Sequence, residues 1–149
     1  MAHQPPTYDD ANLILRLFEL RREDKMREAR AWFTGHCYAE TARELMEKYP
    51  MGSEESRMMR MVVTYWEMVA SFLNSGVLNK ELFYDNGREM LLVWFRLKHL
   101  VPEMREMFQD QSVYKNLEAA CRDFAEYIDR QSPGAAASFE KRVISMVKR

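Results

Sequence analysis

The amino-acid sequence predicts an all-α fold, a single-domain helical bundle of about six to seven helices around a buried central helix at about 54–75. Three observations lead there. With only 5 glycines and 5 prolines in 149 residues, and 12 methionines among abundant Ala, Leu, Glu, Arg and Lys, the composition favours helices and few turns. Apolar residues recur at intervals of three and four along most of the chain, the spacing that places them on one helical face. The segment RMMRMVVTYWEMVASFLN, from Arg57 to Asn74, is apolar all round except for a stripe of Arg57, Arg60, Thr64, Glu67, Ser71 and Asn74. That is the pattern of a helix enclosed on most sides, and a hydrophobic content of 47% suffices for one core.

The first helix is expected to follow Thr7, a capping hydroxyl, with Asp9 and Asp10 at the positive end of the helix dipole. Residues 1–7 before it read as a flexible arm. Leu13, Ile14, Leu17, Phe18, Met26, Ala29, Trp32 and Phe33 hold one helical register, so a single long helix to about Gly35 is expected. A second helix, about Tyr38 to Tyr49, stops before Pro50 and Gly52. Ser53 then caps the central helix and Gly76 ends it. Asn79 caps a short turn with Leu82 and Phe83, before Asp85, Asn86 and Gly87 break the pattern.

The next helix, about Arg88 to Leu100, carries the apolar run Met90 to Phe95 and should be buried on several sides. Pro102 is placed for a first helical turn leading through Met104, Met107 and Phe108. Tyr114, Leu117, Cys121, Phe124 and Ile128 form the cleanest amphipathic seam, and Ala135 to Val147 complete the bundle after Ser132, Pro133 and Gly134.

Composition narrows the function classes. The formal charge of −1, from 22 basic and 23 acidic residues interspersed, gives no field to steer nucleic acid. A helix-turn-helix reading of the second and third helices also fails, because Glu54 and Glu55 would lead into an anionic groove. No stretch reads as a membrane span, and MAHQPPTYDD lacks the basic and apolar regions of an export signal. Cytoplasmic localisation is expected, with Cys37 and Cys121 as free thiols.

Candidate chemistry is sparse. Glu67, beside Trp66, is the expected buried acid, and a buried carboxylate calls for a cation or a hydrogen-bond network. Arg60 on the same stripe, with Arg88 and Arg105 near apolar seams and Arg16 and Arg30 on the first helix, are the arginines placed to face it. Arg60, Glu67, Arg88 and Arg105 are therefore the candidate polar network or ligand pocket. No Glu-x-x-His pair, Gly-x-Ser-x-Gly turn or glycine-rich phosphate loop is present, so no metal, cofactor or catalytic residue is expected. The methionines read as an adaptable core or a malleable groove, with Trp32, Phe33, Trp94 and Phe95 as its candidate interaction surface.

The stretch TYWEMVASFLNSGVLNKELF from Thr64 to Phe83, then Trp94, Arg105 and the YKNLE of Tyr114 to Glu118, resembles a bacterial family of small all-helical cytosolic proteins of unknown function, over about residues 64–118. The resemblance implies a helical fold and no activity. Together these readings predict a non-enzymatic module for protein–protein interaction or self-association. The alternative is a sensor that binds a small anionic or apolar molecule near Glu67.

Overall fold

The computed structural model describes residues 4–148, and among them every regular element is an α-helix. In chain order these are α1 (Tyr8–Arg21), α2 (Asp24–His36), α3 (Ala42–Lys48), α4 (Glu54–Asn74), α5 (Lys80–Tyr84), α6 (Arg88–Leu97), α7 (Val101–Met107), α8 (Lys115–Gln131) and α9 (Ala135–Ser145). The helices form one domain. α4 packs chiefly on α8 and α2 and also touches α6, while α9 closes the far side of α6 and α8.

Helix starts follow the side chains that can satisfy free N–H groups. Thr7 and Asp10 form a reciprocal capping box, and Thr41, Ser53 and Asn79 accept from the backbone N–H three residues on. Gly76, at φ +83°, supplies the left-handed residue after α4. Gly87 is required for a different reason: a Cβ there would run into the ring of buried Phe83.

Three expected boundaries are corrected. The single long first helix is two, because Arg22 closes α1 through a bond to Glu19 O and the Glu23 carboxylate caps α2 by accepting from Met26 N at 3.1 Å. The second expected helix starts only at Ala42, after the Thr41 cap. Likewise, the chain leaves α6 at Leu97 and re-enters a helix at Val101, with Pro102 in its first turn. These breaks raise the count above six to seven, to nine among the described residues. Of the expected flexible arm, residues 1–3 lie outside the described residues. In the described part Gln4 O accepts from Asn79 Nδ2 at 3.1 Å, and beyond the arm, in α1, Asp10 Oδ1 accepts from Asn79 N at 2.9 Å.

The core runs through α2, α4, α6 and α8. Trp66, Phe33, Phe83, Phe124, Leu73, Leu91 and Leu117 are among its fully buried side chains. The most enclosed helix is α6, whose residues from Met90 to Leu97 are all buried. By contrast α4 keeps Arg57, Arg60, Thr64 and Asn74 at the surface, so its polar stripe is largely a solvent face. The reason is geometric: α2, α6 and α8 cover the faces bearing Val62, Val63, Trp66, Val69, Ala70 and Leu73 and leave the stripe open.

Candidate functional site

Glu67 is half-buried, and its partners are two backbone N–H groups and one side-chain amide. Its Oε1 accepts from Leu117 N at 2.8 Å, and its Oε2 from Asn116 Nδ2 at 2.9 Å and Asn116 N at 3.3 Å. The carboxylate thus caps the N-terminus of α8 from a neighbouring helix, where free N–H groups and the helix dipole both favour an anion. This replaces the expected bridge to an arginine; among the described residues no ion pair involves Glu67. It also explains how Tyr114, a residue with no capping side-chain bond and φ of +54°, stands at the start of α8. Asn74, two steps further along the stripe, donates to Asn116 O at 3.0 Å.

The arginines nominated with Glu67 are dispersed. Arg105 donates twice to Val113 O, at 3.0 and 2.9 Å, and pairs with Glu118 at 3.2 Å, closing the loop between α7 and α8. Arg88 lies over the Phe139 ring, 5.3 Å from its centroid. Arg30 binds Glu89 through both its Nε and Nη2 at 2.9 Å, and Arg21 approaches the same acid at 3.4 Å while stacking on Phe18 and Trp66. Arg16 lies near Glu19 at 3.6 Å on an exposed face. Arg60 remains at the surface of α4 with no carboxylate partner among the described residues.

The aromatic set divides as well. Phe33, Trp94 and Phe95 are 1%, 5% and 5% exposed and belong to the core, because α6 is enclosed on every side and α2 packs against α4. They do not form a surface. Trp32 is half-buried, edge-on to Tyr49 at 5.0 Å.

Arg96 has the most unusual environment in the molecule. It is 1% exposed, and its guanidinium donates only to main-chain carbonyls: Nε to Val143 O at 3.0 Å, Nη1 to Phe33 O at 2.8 Å and Cys37 O at 3.0 Å, Nη2 to Thr34 O at 2.6 Å. A cation set against the carbonyl end of α2 meets the negative pole of that helix, which offsets part of its desolvation. Burial lowers its pKa from the ordinary arginine value, yet guanidinium stays protonated. Sequence reasoning missed this residue. The available signal was its position directly after the run Met90–Phe95, inside a helix expected to be buried on several sides.

One concavity combines an apolar wall with a cation. A socket of about 140 Å³ opens between α3, α4, α7 and the start of α8, lined by Leu45, Met46, Tyr49, Met51, Met59, Met104, Phe108 and Tyr114, with Ser56 and Arg60 beside them. Two left-handed non-glycine residues, Gln109 and Tyr114, bracket the loop on its rim. Such conformations cost of order 1–3 kcal/mol each and concentrate where a loop shape is fixed for a purpose. Burial and the charge of Glu67 push the Tyr114 phenol upward, and Arg60 pulls the other way, so both charges act at this rim.

Groups capable of covalent chemistry are quiet. Burial pushes the Cys37 thiol up to about 12 and raises that of Cys121 well above the usual range, so neither is a thiolate at neutral pH. His99 Nε2 sits 2.7 Å from Ala39 O, with its ring stacked on Tyr38. Among the described residues no group of three metal-ligating side chains converges, and no helix is long and apolar enough to cross a membrane.

Fold and site together define a small helical domain with a methionine-lined socket beside Arg60. The chain belongs to the family DUF4760, a domain of unknown function, whose model matches residues 6–141 and so takes in nearly every helix. The family relation therefore extends well beyond the segment at 64–118. No curated protein and no solved structure matches the chain.

Proposed function

We propose that this protein is a non-enzymatic helical binding module of the cytosol that takes a small apolar molecule into the socket between α3, α4 and α7. The observation that carries this reading is the lining itself. Four methionines and three aromatic rings line one partly open socket, and unbranched thioethers adapt their shape to a guest. The size is apt: an apolar protein cavity of about 150 Å³ accommodates a benzene ring. Two buried thiols accord with a reducing compartment.

The test is a titration of methionine-methyl-labelled protein with benzyl alcohol. Signals from Met46, Met51, Met59 and Met104 are expected to shift in the wild type and to stay fixed in Ser56→Trp, where an indole fills the mouth. Unmoved signals in the wild type at millimolar probe would refute the socket.

A second reading, docking of a protein partner or a second copy of the chain, draws on Met51 and Phe108. These are 83% and 46% exposed at the socket mouth, beside exposed Met107. Light scattering that rises with concentration in the wild type, and not in Met51→Asp, would favour association over ligand binding.

A further inference from the structure

We propose that the guest is a small aromatic monocarboxylate, its ring among the socket methionines and its carboxylate on Arg60. This rests on the socket being a small-molecule site and adds the chemistry of its ligand. Three features select that chemistry. Size comes first: a volume of about 140 Å³ matches a six-membered ring with a short substituent. The walls come second, since Met46, Met51, Met59 and Met104 supply sulfur against a ring edge while Tyr49, Phe108 and Tyr114 supply faces for tilted or offset stacking.

Charge comes third. Arg60 is the sole ionic residue among those lining the socket, and no carboxylate of the described residues pairs with it. A guanidinium presents a planar fork that matches a carboxylate. Its charge acts on Tyr114, across the same rim. Glu67, whose charge also reaches Tyr114, already accepts three hydrogen bonds at the start of α8 and forms no ion pair with Arg60, so Arg60 is left to an external anion. The Ser56 and Tyr114 hydroxyls, with no side-chain hydrogen bond to another described residue, add neutral donors at the mouth.

The experiment compares sodium benzoate with benzyl alcohol, which keeps the ring and loses the charge, by methionine-methyl titration of the full chain. Benzoate is expected to bind about fivefold more tightly, the scale of a partly exposed ion pair. Arg60→Gln should abolish that preference and leave the affinity for benzyl alcohol unchanged. Equal binding of the two probes in the wild type, or a benzoate preference that survives Arg60→Gln, overturns the carboxylate assignment while the socket stands. If neither probe shifts the methionines, and Ser56→Trp changes nothing, both readings fall together. Preferential binding of sodium hexanoate over benzoate would retain Arg60 and overturn the aromatic part.

Discussion

Replacing Arg96 with methionine keeps much of the side-chain volume and removes every donor, and its cost can be worked out from the bonds it makes. Four carbonyls accept from the guanidinium; Phe33 O also accepts from Cys37 N at 3.2 Å and keeps that bond. Thr34, Cys37 and Val143 lose a charged donor. At about 1–3 kcal/mol for each carbonyl left short, the loss is about 3–9 kcal/mol. Relief of the guanidinium's own desolvation returns several kcal/mol of this. The expected net destabilisation is about 3 kcal/mol, a large share of a domain stability of about 5–15 kcal/mol. In urea the midpoint should fall with an unchanged slope, and thermal melting should drop by about 6–12 °C. Arg96→Lys, which restores charge but not the fork, should lie between the two. An Arg96→Met protein as stable as the wild type would show that water serves those carbonyls equally well and would refute the accounting.

Other expectations follow from single groups. Glu67→Ala should cost about 1–2 kcal/mol, the worth of a helix cap, and hydrogen exchange should quicken at Asn116 and Leu117 before the rest of α8; unchanged exchange there would exclude the cap. Asp10 is held below its ordinary pKa, first by the Thr7 N–H and then by that of Asn79. Its contribution is therefore complete above an unfolded-state pKa of about 4 and is lost as pH falls through the lower folded value. The stability difference between wild type and Asp10→Asn should accordingly shrink below about pH 4 in urea titrations. Both thiols, protonated and buried, should react with a disulfide reagent at pH 8 only as fast as the protein opens, and rapid native-state labelling of Cys37 would contradict its position.

Much of the architecture was legible because punctuation and periodicity agreed. Ser53 and Gly76 bound α4 at the expected places, and the seam of Leu117, Cys121, Phe124 and Ile128 is the buried face of α8. The break between α1 and α2 was hidden by an apolar register that continues across it, and by a cap that is a glutamate, a residue seldom read as one. The partner of Glu67 was illegible for a deeper reason. Two of its three donors are main-chain N–H groups 49 and 50 residues away, which leave no letter in a sequence, and the third is the uncharged amide of Asn116 rather than a cation. Of the proposed site, Met59, Met104 and Arg60 were visible and Met46 and Met51 were not, and their convergence depends on how α3 and α7 turn against α4. The nominated aromatics failed because α6 is enclosed so fully that its tryptophan and phenylalanine have no surface to form.

The cluster around Arg96 also orders events in time. The carbonyl end of α2 is closed by residue 96, by Val143 in α9, and by Lys148, whose N–H donates to Gly35 O at 2.8 Å. During synthesis α2 and the charged side chain emerge long before residues 143–148. Until those residues arrive, Arg96 has only the carbonyls of Phe33, Thr34 and Cys37 to donate to, and Gly35 O lacks the N–H of Lys148. The last helix is thus a latch on the second, adding its two bonds only after the rest of the bundle has been made.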